Sequence, residues 1–262
     1  MVDRQWGQWI LTYGAGQTAF LQSRPPYPDG NATPVAVGSA RIDEVRERGG
    51  ADRARAIRAR ISGSPDLPIV VYVPGVFFGN HFRFESSDFR NIRGFEMRRR
   101  VAALFNRHTN VRFVYKSFLS QGHDPTLEML SEACPRCVVV ANIPLTDLQW
   151  AADALVHEVP SSGMVESLVT DKPLVAFADR EVYRMNAQAR ILLRRRLTLA
   201  ETEAEFLVGI ESMLVSGRFA PVVNPDQEFL RAFVTHVNDG RSAQRAADFI
   251  AGLAGGAATP RP

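Results

Sequence analysis

The chain of 262 residues carries a formal net charge of +3, and 45% of its residues are apolar. This composition is that of a folded protein with its own core, and the length fits one large domain or two small ones. The longest apolar runs, residues 68–73 and 137–143, are far shorter than the roughly 20 residues of a membrane-spanning helix. Since the amino terminus also lacks the layout of a secretory signal, we expect a cytoplasmic protein.

Two turn-forming segments divide the first part of the chain. Residues 24–31 are rich in Pro, Asp, Gly and Asn, which predicts a boundary between residues 1–33 and the rest of the chain. A short apolar segment at 34–39 precedes a charged stretch, from Arg41 to about Ile61, that has a helical composition. A second break at residues 62–65 then introduces the regular part of the chain.

From residue 69 onward, apolar runs of strand length alternate with longer helical patterns. Strands are predicted at 69–73, 111–115, 138–141, 154–157 and 174–177. Parallel neighbours need a crossover, usually a helix, so the alternation predicts an α/β fold with a Rossmann-like, doubly wound parallel sheet of five or six strands. After Thr198 only C-terminal helices are predicted, at 201–215, 226–238 and 242–253. The predicted domain spans residues 34–253, and residues 254–262 are expected to form a disordered tail.

The basic residues are almost all arginine, since only Lys116 and Lys172 are lysines among the 31 Lys and Arg residues. We interpret the runs 98–100 and 194–196 as solvated helix faces. The alternative is attraction to an acidic polymer or an anionic membrane, which would mean peripheral contact at the inner face of the membrane. Neither run is interleaved with aromatic residues, so nucleic acid is not an expected partner.

Cys134 and Cys137 form a single CxxC motif. No histidine lies close to it in sequence, and the pair ends a helical stretch instead of following a strand and opening a helix. The sequence therefore predicts neither a metal site nor a redox role.

The segment after the fourth predicted strand, residues 158–173, is the most informative. In open parallel sheets ligands bind at the carboxyl ends of the strands, where helix amino termini present free N–H groups. Ser161 and Ser162 offer hydroxyl groups and Gly163 allows close approach to the backbone, so this turn predicts an anion site. Glu166 lies one helical turn further, where its carboxylate can accept hydrogen bonds from ribose hydroxyl groups. The alternative is an ordinary serine cap with an acidic residue in the first turn.

Residues 148–177 resemble the donor-site segment of GT-B glycosyltransferases, in particular bacterial surface-carbohydrate enzymes. These include capsule and lipopolysaccharide transferases, polyol-phosphate polymerases of the teichoic-acid type and, more distantly, non-hydrolysing nucleotide-sugar 2-epimerases. In these families an aspartate-led strand runs into a Ser/Thr-Ser-Gly turn, then a glutamate, then Lys/Arg-Pro and a short apolar strand. The resemblance implies a GT-B C-terminal domain in which Ser161, Ser162 and Gly163 bind the donor diphosphate and Glu166 binds the ribose.

Two further loops fit the family pattern less closely. Lys116 directly follows the predicted strand at 111–115, where the family has a basic residue at the strand end, but Asp124 separates His123 from Pro125 where the family has a His-Pro pair. The resemblance implies contacts with the donor phosphates for Lys116 and His123. The aromatic loop at 74–90 either packs on its own domain or lines the cleft, where His81 and Arg83 would approach the donor or the acceptor.

Residues 3–9 resemble the last piece of a preceding acceptor-side domain, so we interpret residues 1–33 as a remnant or linker of that domain. The resemblance implies a transferase of surface polysaccharide biosynthesis that moves a nucleotide-activated sugar or polyol to a glycan or lipid-linked acceptor, without a cofactor or metal. One alternative is a non-catalytic or split donor-binding subunit that works with a separate acceptor-domain chain. The other is a protein similar to the 2-epimerases. The sequence identifies no catalytic base.

Overall fold

The structure is a computed structural model that describes residues 8–23, 32–61, 67–75, 91–118 and 124–254. Two compact units are present: residues 1–47 together with 226–262, and residues 48–225. The predicted bounds of 34 and 253 for the donor domain stay a prediction, and residue 34 lies within a strand of the first unit. The expected tail after residue 254 lies outside the described residues.

The helices and strands alternate along most of the chain. The strands are β1 (Trp9–Thr12), β2 (Thr33–Ala36), β3 (Ile69–Val73), β4 (Arg112–Lys116), β5 (Val138–Val140), β6 (Ala154–His157), β7 (Leu174–Phe177) and β8 (Thr198–Ala200). The helices are α1 (Ala15–Gln22), α2 (Ala40–Glu47), α3 (Ala51–Ile61), α4 (Asn91–Arg107), α5 (Thr126–Ala133), α6 (Leu145–Ala151), α7 (Ser162–Ser167), α8 (Ala187–Arg196), α9 (Glu203–Ser216), α10 (Glu228–Leu230) and α11 (Ser242–Ala254). A 3-10 turn, Leu168–Thr170, extends α7, and a π-helical turn, Arg231–Thr235, extends α10.

The larger unit is built on one parallel sheet with the strand order β5-β4-β3-β6-β7-β8. All five of its strand pairings are parallel. The sequence prediction of a doubly wound parallel sheet is confirmed, because the chain builds outward from β3 to one edge and then from β6 to the other. Each of the five predicted strands is present within one residue of its predicted bounds.

The central strands read as continuous apolar runs because both of their faces are covered. Every residue of β3, β6 and β7 is buried. Helices α4 and α9 contribute Met97, Phe105 and Phe206 to the core on one side, and the rings of Phe105 and Phe113 stack with centroids 4.0 Å apart. This packing holds the carboxyl ends of the strands in fixed positions.

One sequence prediction about the elements was wrong. The chain after Thr198 is not helical only, because Thr198–Ala200 forms β8 and pairs with β7. Three residues are too few to show a strand pattern, and β8 is defined by its pairing instead. The stretch from Arg41 to Ile61 is helical as predicted, in two helices, α2 and α3, that are separated by residues 48–50. A Cβ on Gly49 would lie 2.5 Å from the Trp150 ring, so this close approach requires glycine.

The smaller unit contains a two-stranded parallel sheet of β1 and β2. Helices α2 and α11 are joined by the Asp43 carboxylate, which accepts hydrogen bonds from the Ser242 amide at 2.6 Å and from its hydroxyl group at 3.2 Å. Gly38 has a φ of +95° and lies close to Ser242 and Thr235, so it needs the backbone freedom of glycine. None of the predicted site residues among the described ranges lies in this unit.

Candidate functional site

The candidate site lies where the strand order of the large sheet reverses, between β3 and β6. In open α/β sheets ligands bind in the crevice at the carboxyl ends of the two strands at this switch point. Gly75 follows β3 and Glu158 follows β6. The two ends touch, because a Cβ on Gly75 would lie 3.1 Å from Val159 Cγ1 and 3.4 Å from Glu158 Oε1. The predicted Ser161–Gly163 turn therefore begins at the switch point itself.

Ser161 and Ser162 form an uncapped turn. Ser161 is the N-cap residue of α7 with an extended backbone (φ −90°, ψ 177°), yet its side chain makes no capping hydrogen bond. Its amide donates to Val159 O at 2.8 Å, and its carbonyl accepts from the Met164 and Val165 amides. Within the described ranges neither serine hydroxyl has a hydrogen-bond partner. The hydroxyl groups and the first amides of α7 are therefore available to an anion, and anion binding at this turn stays a prediction.

A buried polar network supports the turn from below. Gln149 Nε2 donates to Gly163 O at 2.8 Å and to Ser167 Oγ at 2.9 Å, and Ser167 Oγ donates to Gly163 O at 3.0 Å. His157 Nε2 lies 2.8 Å from Ser167 Oγ. Because the single hydroxyl proton of Ser167 goes to Gly163 O, we assign the proton of the imidazole to Nε2, as the donor to Ser167.

The His157 imidazole is neutral in this network. It is fully buried, and burial lowers its pKa to about 3. Its Nδ1 atom is buried without a hydrogen-bond partner among the described residues, so a second ring proton there would have no acceptor. His157 thus fixes the carbonyl end of the turn as an uncharged donor, and the sequence did not single it out.

Glu166 lies on α7 one turn after Ser162, as predicted, and is only 8% exposed. It is therefore an inward-facing acid and not an exposed first-turn residue of the helix. Ribose binding by Glu166 and diphosphate binding by Ser161, Ser162 and Gly163 stay predictions.

Lys116 ends β4, and Ser162 follows β6, so both residues lie at the carboxyl edge of the parallel sheet. β3 lies between β4 and β6, which separates the two strands by about 10 Å. The Lys116 ammonium group donates to Ala141 O at 2.7 Å and to Ser117 O at 3.0 Å, and burial lowers its pKa. Its hydrogen bonds thus join the ends of β4 and β5, and its contact with donor phosphates stays a prediction.

The other predicted residues, His81, Arg83 and His123, lie outside the described residues. The residue that breaks the family's His-Pro pair, Asp124, is described. Its carboxylate accepts hydrogen bonds from Tyr115 Oη at 2.9 Å and from the Thr126 amide at 2.9 Å. Asp124, the residue that departs from the family pattern, therefore joins the end of β4 to the start of α5.

A buried ion pair lies at the switch point, beside the ends of β3 and β6. Arg98 of α4 and Glu158 are 3% and 0% exposed, and they form a bidentate pair at 2.7 and 3.0 Å. Tyr72 Oη donates to Glu158 Oε2 at 3.0 Å. Burial opposes the charge on Arg98, but Glu158 outweighs it and raises the Arg98 pKa. Burial and Glu158 also raise the pKa of Tyr72 well above its usual value.

The loop after β7 contains a second buried carboxylate that pairs with an arginine of α4. Asp179 is buried, accepts a hydrogen bond from the Glu181 amide at 3.0 Å, and lies 2.7 Å from the guanidinium group of Arg93. Burial, together with the carboxylates of Glu158 and Asp179, raises the pKa of Tyr183. Helix α4 therefore supplies one arginine to the end of β6 and another to the end of β7.

Arginines of both runs form ion pairs or hydrogen bonds within the protein. Arg98 and Arg196 are buried, so their interpretation as solvated residues was wrong; Arg196 binds Leu168 O at 2.8 Å and Asp171 at 3.0 Å. Their neighbours Arg99, Arg100 and Arg194 pair with the glutamates Glu96, Glu203 and Glu201. None of the described helices is both long and apolar enough to cross a bilayer.

The two cysteines follow α5 as predicted, with Cys134 buried and Cys137 partly buried. Burial raises the pKa of both thiols, that of Cys137 to about 12, so neither is poised as a thiolate. Among the described residues no cluster of three or more His, Cys, Asp or Glu side chains could hold a metal ion.

Sequence reasoning missed Arg98, Tyr72 and Glu158. One signal was present: Arg98 precedes Val101 by three residues and Phe105 by seven, which places it on the apolar face of α4. An arginine on such a face needs a buried acidic partner. Glu158, the first residue after a fully buried strand, was the nearest candidate at the same edge of the sheet.

A separate groove of about 760 Å³ lies toward the other end of β7 and β8. It is lined by the starts of both strands and by α9, including Leu174, Leu197, Val208 and Met213. None of the predicted site residues lines it.

This arrangement defines a class: an open, doubly wound α/β unit in which a Ser-Ser-Gly turn without a side-chain cap follows the strand at the switch point. Comparison with known proteins adds the fold type. No protein-family model matches the sequence, and no curated protein matches it. The structure of S. aureus MnaA with UDP gives a TM-score of 0.62 at 12% identity, over 98% of this chain and 63% of that chain.

Two further solved structures are similar to this chain in fold. Sucrose-phosphate synthase from Thermosynechococcus elongatus gives a TM-score of 0.56 at 16% identity, over 97% of this chain and 60% of that chain. The wall teichoic acid polymerase TagF with CDPG gives 0.52 at 12% identity, over 93% of this chain and 55% of that chain. The chain therefore has the Rossmann-like fold of GT-B glycosyltransferases, as its sequence resemblance implied, and spans 55% to 63% of the length of these structures.

Proposed function

We propose that the chain binds a nucleotide-diphosphate donor at the β6–α7 turn and serves in the transfer of an activated sugar or polyol to a glycan acceptor of a surface polysaccharide. The observation that carries this proposal is the uncapped turn of Ser161, Ser162 and Gly163 at the switch point of the sheet. Unpaired amides and hydroxyl groups at this position suit a diphosphate, and Glu166 stands one turn away for the ribose.

The fold neighbours support the choice of ligand. MnaA was solved with UDP and TagF with CDPG, and both have the fold of this chain. A pyrimidine nucleoside diphosphate is therefore the ligand to test first. No metal or cofactor is part of the proposal, and the acceptor is proposed to be a glycan or a lipid-linked glycan.

Epimerisation of a nucleotide sugar is the second candidate function, favoured by a TM-score of 0.54 at 13% identity with a putative UDP-N-acetylglucosamine 2-epimerase from Listeria monocytogenes. An epimerase interconverts two nucleotide sugars without an acceptor, whereas a transferase releases the nucleotide only when an acceptor is present. A non-catalytic donor-binding subunit would bind the nucleotide and do neither. Incubation of the protein with a nucleotide sugar, with and without a glycan acceptor, separates these three outcomes.

Isothermal titration with UDP, CDP and CMP tests the binding site. We expect UDP or CDP to bind more tightly than CMP, and Glu166→Ala to weaken binding by about one to two orders of magnitude through the lost hydrogen bonds to the ribose. Glu205→Ala is the matched control because Glu205 lines the separate groove. If Glu205→Ala weakens binding and Glu166→Ala does not, the nucleotide lies in the groove and the proposed site is wrong.

A further inference from the structure

We propose that Arg98 and Glu158 are positioning residues of the nucleotide site: their buried ion pair sets the geometry of the β6–α7 turn that receives the diphosphate. This inference rests on the proposed function. It assigns to the pair a role beyond stability, in a part of the site that the ligand itself does not touch.

The guanidinium group of Arg98 joins three elements that meet at the switch point. Nε and Nη2 donate to the two carboxylate oxygens of Glu158, at the end of β6. Nη2 also donates to Gly75 O, after β3, at 2.6 Å. Nη1 donates to Thr126 Oγ1, at the start of α5, at 3.2 Å. The planar fork of an arginine fixes the directions of these bonds, and a lysine would not reproduce them.

Glu158 is connected to the turn by a short, closely packed segment of backbone. Glu158 precedes Ser161 by three residues, and Val159 between them packs against Gly75, where a Cβ would meet Val159 Cγ1 at 3.1 Å. The Glu158 amide donates to Val73 O at 3.0 Å, so the backbone at this point is held to β3. The ion pair and this backbone hydrogen bond together hold the start of the turn against β3, so we expect loss of the pair to loosen the first residues of the turn.

Stability alone does not account for a buried ion pair at this position. Replacement of such a pair by apolar residues of similar volume is often neutral or stabilising, whereas removal of one partner leaves an uncompensated buried charge. Unlike apolar contacts, the hydrogen bonds of an ion pair have fixed directions. Here these hydrogen bonds converge on the backbone around the site. The two interpretations, positioning and stability, make different predictions for a paired replacement.

The test is the double variant Arg98→Met/Glu158→Leu, which removes both charges together. Its control is Arg58→Met/Asp153→Leu, which makes the same chemical change in a partly exposed ion pair of 2.7 Å that joins α3 to the residue before β6, at the amino ends of the strands. Urea unfolding and circular dichroism measure the folded fraction, and isothermal titration with UMP, UDP, CMP and CDP measures affinity for the folded protein.

We expect Arg98→Met/Glu158→Leu to remain folded and to bind the better diphosphate at least about tenfold more weakly, with a smaller loss for the corresponding monophosphate, because the turn meets the diphosphate. The control should keep wild-type affinities whatever its loss of stability. Equal affinities in the wild type and the folded test variant would overturn the positioning role. A wild type that binds none of the nucleotides would overturn the proposed function and this inference together.

Tyr72→Phe provides a second variant if the paired replacement does not fold. It removes only the hydrogen bond from Tyr72 Oη to Glu158 and keeps the aromatic ring in the core. We expect a two- to fivefold loss of affinity for the diphosphate and none for the monophosphate. A loss that is equal for both nucleotides, or absent for both, would contradict the positioning role.

Discussion

Acid pH should destabilise the protein through His157. This histidine is fully buried below the β6–α7 turn, and its pKa is lowered to about 3 by burial. The unfolded chain takes up the proton near pH 6.5, so the unfolded state binds more protons than the folded state between pH 6.5 and 3. The stability contribution of the neutral imidazole is complete above pH 6.5 and is lost as the pH falls toward 3.

The size of this effect is set by the two pKa values. Relative to pH 7.5, the free energy of unfolding should fall by about 1 kcal/mol at pH 5.5 and by about 3 kcal/mol at pH 4.5 because of His157 alone. Urea unfolding of the wild type and of His157→Gln across this range isolates the contribution, since glutamine does not titrate and its amide reaches toward Ser167.

We expect the variant to be less stable at pH 7.5 but to lose about 3 kcal/mol less than the wild type between pH 7.5 and 4.5. His108→Gln, the same chemical change at a partly exposed position, should keep the acid dependence of the wild type. Parallel curves for the wild type and His157→Gln would refute the neutral, buried imidazole and the hydrogen-bond assignment at Ser167.

Two further predictions concern the core and the alkaline range. Val175→Ala, in the buried strand β7, should lower the free energy of unfolding by about 1–3 kcal/mol in urea while nucleotide affinity of the folded protein stays unchanged; a loss of affinity alone would contradict a purely structural role. Lys172 donates to the Trp150 and Ala152 carbonyl groups, and burial lowers its pKa to about 8. The free energy of unfolding, measured by urea titration, should therefore rise between pH 8 and 10.5, where the unfolded chain still holds the Lys172 proton. Lys172→Met should remove the part of this rise that Lys172 contributes.

The sheet was predictable from the sequence because buried parallel strands read as uninterrupted apolar runs. Ile69–Val73 is apolar at every position and buried at every position, and the helices between the strands fixed the parallel topology. β8 was not predictable, since three residues carry no pattern and their strand geometry depends on pairing with β7. The position of Ser161 and Ser162 after a strand was also predictable, and so was their place at the carboxyl edge.

The residues that hold the site in place were not predictable, because their interactions join partners that are far apart in the chain. Arg98 and Glu158 are separated by 60 residues, and a triple-arginine run gives no indication of which member is buried. His157 gave no signal either, since a histidine that ends an apolar strand can be neutral or charged, depending on the burial that the fold imposes. The sequence thus located the turn that meets the ligand better than the residues that hold the turn in place.

Hydrogen exchange with and without saturating UDP or CDP tests the central claim most directly, because it locates the bound nucleotide on the chain. We predict slower amide exchange in residues 159–167, at the switch point between β3 and β6, and no change in residues 208–218 along the separate groove. Slower exchange confined to residues 208–218, or none anywhere in the presence of either nucleotide, would contradict the claim.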